Sequence, residues 1–290
     1  MQWFQMKEKS AGKKRLIVTL YAYKIFGKYM LYSIAFFVAF FTFILNRDLR
    51  FFSKKYLKIV NITPSLLNQF RQIFSYAISL ADKIIMYLGK FNTENIIFDN
   101  EFDKKQLFND IAKKNGVCFL FSHVGNIEVL QAFFQNQKYF PDLGINVFLN
   151  KKQTKIFNDF IESIKINIPV KNIISETFDI SDVIKLKENL EKGEVVFLAG
   201  DRISEFNSSK TITTTMFGHQ INLPEGSFKL AKLCEIPIYF ISAIRQKNGK
   251  YKIYVKQIRA ENIAQDYTKY METIIKNNPF QFYHFYDFFC

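Results

Sequence analysis

The fold of this chain is decided by one segment, Phe119-Leu120-Phe121-Ser122-His123-Val124-Gly125-Asn126-Ile127-Glu128. Its apolar residues predict a buried strand that ends at the histidine. Gly125 and Asn126 tolerate the left-handed backbone angles of a tight turn. Positions five apart on one helix do not face each other, so His123 and Glu128 can meet only if the histidine precedes the helix. The segment therefore predicts a strand, a turn and a helix, with a histidine and a carboxylate at their junction.

The paired His123 and Glu128 have two interpretations. A histidine beside a carboxylate at a strand end is an arrangement used for general-base catalysis, and a histidine with a pKa near ~6.5 is largely neutral at cytoplasmic pH. The alternative is structural, with a hydrogen-bonded histidine near a helix start and a glutamate that interacts favourably with the helix dipole. The segment alone leaves both open.

Strands and helices alternate from about residue 100 onward. The pattern predicts strands at 117–122, 145–149, 168–174, 195–199, 238–244 and 251–255, and helices at 106–115, 127–134, 155–165, 181–191, 227–234 and 267–276. This alternation favours an α/β fold with a largely parallel sheet flanked by helices. Ligands of such sheets bind beyond the carboxyl ends of the strands. His123 and Asp201 both follow predicted strands, so we expect them to face one cleft.

A second group of polar residues follows the strand at 195–199. Asp201 and Arg202 come directly after it, then a long polar loop, then a Pro224–Gly226 turn into a helix. Backbone amides at a helix start bind anions, and a long loop in a compact domain favours a functional lid. The structural alternatives are a local Asp201–Arg202 salt bridge and simple turn chemistry. The other two histidines, His219 and His284, are predicted to be a surface residue and a C-terminal packing residue, and no metal site is expected.

The N-terminal region is both basic and apolar. Residues 1–60 hold twelve Lys and Arg against Glu8 and Asp48, in a chain of net charge +14. Residues 29–45 carry no charge and are bracketed by Lys28 and Arg47, which favours a membrane-anchoring helix; an interfacial helix and a buried core helix are the alternatives. Basic clusters beside an apolar helix attract anionic lipid. Because the basic residues of this region alternate with long apolar runs, the acidic partner is expected to be a membrane surface and not nucleic acid.

Three regions are predicted along the chain. Residues 1–61 form a basic N-terminal region with a membrane helix at about 29–45, residues 62–100 form a helical connector, and residues 101–290 form the α/β domain. The three cysteines show no disulfide or zinc pattern, which fits a reducing compartment.

Three motifs in order resemble the late lipid A acyltransferase family, whose membrane-bound enzymes carry an H-x4-D/E motif. They are FSHVGNIEVL at 121–130, AGDRIS at 199–204 and MFGHQINLPEGSFKLAKLCEIPIYF at 216–240. Residues 1–28 and the C-terminal NNPFQFYHFYDFF look more like the branch found in aryl polyene and related lipid gene clusters.

The resemblance implies transfer of an acyl chain from an acyl thioester, typically on acyl carrier protein, to a lipid hydroxyl. His123 would then remove the proton of the acceptor hydroxyl, and Glu128 would orient the ring and stabilise imidazolium. Backbone amides near Gly125 and Asn126 would stabilise the oxyanion. No bound cofactor or metal is implied, since acyl carrier protein or coenzyme A delivers the acyl group as a donor substrate.

The resemblance also implies substrate-binding residues in the later motifs. Asp201 and Arg202 match the second conserved block. Lys151 stands about where the family has an arginine, and it keeps the charge without the bidentate fork. The remaining substrate-binding candidates are Phe217, Gly218, Pro224 and Gly226.

The expected location is the bacterial inner membrane, with the catalytic domain on its cytoplasmic face. The expected partners are anionic membrane lipid, an acyl carrier protein and a lipid or glycolipid acceptor. Two other functions remain open: a glycerophospholipid acyltransferase of the H-x4-D type, and a non-catalytic lipid-binding or scaffold protein of the same fold. No pattern in the sequence sets the acyl chain length or the acceptor.

Overall fold

The structure is a computed structural model that describes residues 13–136, 138–149, 171–174, 179–203 and 210–289. The helices are α1 (Lys13–Leu45), α2 (Arg47–Ile59), α3 (Leu66–Tyr87), α4 (Glu101–Ala112), α5 (Ile127–Phe134), α6 (Ile180–Glu191), α7 (Glu225–Leu233) and α8 (Ile263–Asn277). The strands are β1 (Ile96–Phe98), β2 (Val117–Gly125), β3 (Ile145–Leu149), β4 (Lys171–Ile174), β5 (Val195–Ala199), β6 (Thr211–Met216), β7 (His219–Pro224), β8 (Ile238–Arg245) and β9 (Tyr251–Ile258).

One sheet organises the α/β part of the protein. Within the described residues it has seven strands in the order β1-β9-β8-β2-β5-β3-β4. Neighbouring strands are parallel except β8 and β9, which form an antiparallel hairpin. The central strand β2 is buried from Val117 to Ser122, as expected for a parallel strand covered on both faces. The predicted fold class is therefore confirmed.

Several elements differ from the sequence prediction. The long loop predicted after Arg202 contains β6, which pairs with β7 in a separate antiparallel hairpin. The edge strand β1 lies inside the segment predicted as a helical connector. It was not predicted, because three residues are too few to show the alternation of a strand. Helix α2 was not predicted. The helix predicted at 155–165 and the first residues of the strand predicted at 168–174 lie outside the described residues.

The apolar N-terminal helix is confirmed and begins earlier than predicted. Helix α1 starts at Lys13 and bends at Gly27, whose φ of 72° and ψ of −166° are not helical. Its segment Tyr23–Leu45 is long and apolar enough to cross a membrane. One face of α1 packs on α3 through the buried side chains of Leu31, Ala35 and Ala39. Exposed aromatic side chains cover other parts of its surface.

Helix α3 connects α1 to the sheet through the buried carboxylate of Asp82. This carboxylate accepts hydrogen bonds from the Tyr32 hydroxyl at 2.6 Å, the Tyr251 hydroxyl at 2.6 Å and the Arg245 Nε at 2.8 Å. The Tyr251 hydroxyl also lies 3.4 Å from the side-chain amide of Asn126, in the turn after β2. A single carboxylate thus joins α1, α3, β8 and β9.

We expect Asp82→Ala to lower the free energy of unfolding by about 3–5 kcal/mol, because it leaves the charge of Arg245 and two hydroxyls without their partner. The control is Asp99→Ala, which removes a surface pair with Lys252 and should cost less than about 1 kcal/mol. Denaturant unfolding of the detergent-solubilised protein measures both. Equal losses for the two variants would contradict the central role of Asp82.

Candidate active site

His123 lies where β2 leaves the regular pattern of the sheet. Phe121 of β2 pairs with Ile241 of β8, but Gly125, four residues later, pairs with Ala243, only two residues later. The register between the two strands therefore shifts at His123. Such bulges redirect side chains and recur beside active sites. Gly125 closes the irregularity with a φ of +79°, and a Cβ there would come within 2.0 Å of the Ala243 carbonyl oxygen. Only glycine fits this position, so the turn predicted at Gly125 is required by the packing.

Asp201 meets His123 from the neighbouring strand. The parallel pairing of β2 with β5 brings the residues that follow Ala199 beside the end of β2. One carboxylate oxygen of Asp201 lies 2.8 Å from His123 Nδ1, and the other accepts the His123 backbone N–H at 2.6 Å. The preceding Gly200 donates its N–H to the Phe121 carbonyl, and a Cβ there would lie 2.6 Å from the Tyr267 ring. Two backbone constraints therefore set the position of the carboxylate.

The hydrogen bond to Asp201 determines what the His123 ring can do. A carboxylate at Nδ1 favours the tautomer that carries its proton there, which leaves a lone pair on Nε2. The side chain of His123 is 22% exposed while that of Asp201 is fully buried, so the ring is the member of the pair that a substrate can reach. This is the arrangement of a general base with a buried carboxylate behind it.

The pKa values of the pair fit this role. Burial lowers the pKa of His123 from its ordinary 6.5, and the positive charge of Arg202 lowers it further, against the opposing effect of Asp201. The imidazole is therefore neutral at neutral pH. Burial alone would raise the pKa of Asp201, but His123 and His284 outweigh it and hold this pKa well below its usual range.

Glu128 is placed near His123 but has a different partner. It lies in the first turn of α5 and forms an ion pair with Lys83 of α3. Burial would raise its pKa, but Lys83 outweighs burial and keeps the carboxylate ionised. Its charge acts on His123 through space. The expectation that Glu128 orients the ring therefore does not match the structure, in which Asp201 makes that hydrogen bond.

The backbone amide of Asn126 is also engaged. It donates to the Ala243 carbonyl at 2.8 Å, while the side-chain amide donates to the Ser79 carbonyl at 3.1 Å. The expected role of the Asn126 amide as an oxyanion donor is therefore wrong for this structure, because the bulge turns that amide toward β8.

Arg202 belongs to the site. Its side chain is half-buried, and its positive charge lowers the pKa of both His123 and His284. Cations in such positions stabilise negative charge that develops on a substrate.

The start of α7 adjoins the same edge of the sheet. The hydroxyl of Ser227 donates to the Ala199 carbonyl at 2.7 Å, which ties the Pro224–Gly226 turn to the end of β5. A Cβ on Gly226 would meet nothing within 4 Å, so packing does not demand glycine there. The structure thus places the Pro224–Gly226 turn at the end of the strand that precedes Asp201.

Phe217 and Gly218 lie at the tip of the β6–β7 hairpin. Both have positive φ, at 53° and 76°, as the two-residue hairpin turn requires. The Phe217 N–H donates to Glu272 at 3.1 Å, and Lys276 lies over its ring. Their described contacts are with α8 and the C-terminal segment, not with His123. Lys151 lies outside the described residues.

Two residues at the site were not predicted from the sequence. Lys83 pairs with Glu128, and His284, predicted only as a packing residue, has its Nε2 3.2 Å from an Asp201 oxygen. Both come from segments distant along the chain, and no spacing rule links them to His123.

The comparisons with known proteins agree with this geometry. Residues 83–289 match the family model described as bacterial lipid A biosynthesis acyltransferase, and this span includes both His123 and Asp201. A search of curated proteins finds no match. Since the match covers well over half of the chain, the resemblance is confirmed at the level of the family: this protein belongs to the bacterial lipid A biosynthesis acyltransferases.

Proposed function

We propose that this protein transfers an acyl chain from an acyl thioester to a hydroxyl of a lipid or glycolipid, with His123 as the general base. The family supports an acyltransferase that acts on lipid. The observation that carries the mechanism is the 2.8 Å hydrogen bond between His123 Nδ1 and Asp201, because it leaves Nε2 free to accept a proton.

The proposed reaction has two steps. The acceptor oxygen attacks the thioester carbonyl carbon while its proton passes to His123 Nε2, and the ionised Asp201 stabilises the imidazolium that forms. The tetrahedral intermediate then collapses, the C–S bond breaks, and the imidazolium returns the proton to the leaving thiolate. The thioester supplies the activated acyl group, so the proposal includes no bound cofactor and no metal.

Arg202 and Glu128 are assigned supporting roles. The charge of Arg202, which lowers the pKa of His123, would stabilise the oxyanion of the intermediate. The ionised Glu128, held by Lys83, adds a negative charge that favours the imidazolium. In this proposal the dyad consists of His123 and Asp201, and Glu128, predicted from the sequence as the partner, acts on His123 without a hydrogen bond to it.

The donor is proposed to be an acyl carrier protein, with acyl-CoA as the alternative. The net charge of +14 favours an acidic carrier, because complementary charge accelerates encounter. A glycerophospholipid acyltransferase would use the same base and differ in its acceptor. A non-catalytic function is less favoured, since a buried carboxylate at Nδ1 of a partly exposed histidine is the arrangement of a general base.

The protein is proposed to lie on the cytoplasmic face of a bacterial inner membrane. Helix α2 directly follows the apolar helix α1 and carries an exposed stripe at helical spacing: Arg47, Phe51, Lys54 and Lys58. Phe51 is 63% exposed in the middle of these cations. A basic stripe around an exposed aromatic suits the headgroup region of an anionic bilayer.

We expect His123→Ala to reduce acyl transfer at least about 100-fold, because a general base typically contributes 10²–10⁴. Membranes that contain the protein would receive acyl carrier protein loaded with a radiolabelled acyl chain, and label in extracted lipid would be counted. The labelled lipid also identifies the acceptor.

The matched control for this experiment is His219→Ala, which removes an exposed histidine on the β6–β7 hairpin and should leave transfer unchanged. Equal transfer by wild type and His123→Ala would contradict the proposed base. If wild type transfers no label from either acyl carrier protein or acyl-CoA, the proposed reaction is wrong.

We expect residue 51 to lie in the bilayer interface. In a Trp3→Phe background, which removes the single native tryptophan, Phe51→Trp reconstituted in vesicles with anionic lipid should be quenched by brominated acyl chains. The control is Phe102→Trp, at a residue of α4 that is 72% exposed and should stay unquenched. An unquenched tryptophan at position 51 would contradict the membrane contact of α2.

A further inference from the structure

The C-terminal segment brings a second histidine into the site. After α8, residues 279–289 fold back across the sheet, and Phe282 forms a β-bridge with Val124, the residue after His123. Tyr56 of α2 donates to the Pro279 carbonyl at 2.7 Å, and Gln72 of α3 donates to the Phe282 carbonyl at 2.7 Å. The segment is thus fixed by hydrogen bonds from two helices and one strand.

The ring of His284 is held in a cage of aromatic side chains. It stacks on Phe282 with centroids 4.2 Å apart and an interplanar angle of 13°, and it meets Phe288 edge-on at 4.7 Å. His284 is only 2% exposed. A polar ring in such a cage is costly unless it gains an interaction that an apolar ring would lack.

The polar group that faces His284 is Asp201. His284 Nε2 lies 3.2 Å from the same carboxylate oxygen that accepts the His123 backbone N–H. Within the described residues, neither ring nitrogen of His284 makes a hydrogen bond. The interaction of this buried ring with a polar group is therefore the approach of Nε2 to the Asp201 carboxylate. The two imidazole rings stand almost perpendicular, with centroids 6.2 Å apart.

We propose that His284 is a positioning residue that acts through Asp201. The Nε2 of a neutral His284 ring that carries its proton there lies 3.2 Å from the carboxylate, and the dipole of this N–H stabilises the negative charge of the group that orients His123. The inference rests on the proposed general-base role of His123, and it adds that the C-terminal segment sets the basicity of that base.

The charged and titratable groups around His284 are consistent with a neutral ring. Among the described residues they are Asp201 and Arg202 after β5, His123 on β2, and Tyr286 in the C-terminal segment itself. Burial lowers the pKa of His284 to about 4, and Arg202 and His123 add to this effect against the attraction of Asp201. His284 therefore remains an uncharged N–H donor throughout the range in which His123 works.

The sign of the effect follows from the carboxylate. Removing the dipole of the His284 N–H leaves the negative charge of Asp201 less stabilised by its surroundings, so that charge stabilises the His123 imidazolium more strongly. The pKa of His123 should then rise. A residue that only packs the core would change stability without moving this pKa.

Histidine NMR of the full-length protein in detergent tests the proposal, because the chain has only three histidines and ¹⁵N-labelled imidazoles give few signals. We expect His284→Phe, which keeps the aromatic packing, to raise the pKa of His123 by about 1 unit. His284→Gln, whose amide keeps a donor near the Nε2 position, should retain the wild-type pKa. His219→Phe is the matched control and should change nothing at His123.

An unchanged pKa of His123 in His284→Phe would overturn the proposal, as would equal shifts in the Phe and Gln variants. If His284→Phe does not fold, His284→Asn takes its place, since its shorter amide cannot reach Asp201. The readout needs no turnover. A protein that transfers no acyl chain would therefore refute the proposed function while the His284–Asp201–His123 coupling is still measured separately.

Discussion

The hydrogen bond between His123 and Asp201 is the interaction on which the site depends. It requires β2 and β5 to be adjacent and parallel, a bulge that turns His123 out of the regular ladder, and a glycine on each strand end where a side chain would collide. A buried carboxylate tolerates this position because it accepts both the ring and the backbone N–H of His123. The order of the strands in the sheet thereby brings His123 and Asp201 together, and the surrounding helices pack against that sheet.

Helix α3 holds the turn after β2 through two consecutive residues. Asp82 connects the apolar helix α1 to β8 and β9, and through Tyr251 to Asn126, while Lys83 fixes Glu128 at the start of α5. The part of the protein that can enter the membrane and the turn that carries the base are therefore joined by buried polar contacts. In the proposed function, this connection would keep His123 at a fixed place relative to the lipid surface.

The sequence predicted the parts of this site that depend on local patterns. Apolar runs and turn residues predicted β2, β5 and the fold class. Because strand ends in a parallel sheet share one edge, His123 and Asp201 were expected to face one cleft, but their hydrogen bond was not predicted. The partner of the His123 ring was misassigned to Glu128, because the ion pair with Lys83 joins residues far apart in the chain. The engaged amide of Asn126 follows from a bulge that no periodicity reveals. His284 reached the site only through the folding back of the C-terminal segment.

The most direct test of this account compares two conservative substitutions in the purified enzyme. Asp201→Asn keeps the size of the side chain but removes the charge that stabilises imidazolium, and Glu128→Gln does the same at the predicted but more distant carboxylate. With acyl carrier protein thioester as donor, we expect kcat to fall by about 10³-fold or more for Asp201→Asn and by less than about 10-fold for Glu128→Gln. The reverse order would show that Glu128, not Asp201, supports the base, and it would contradict the account.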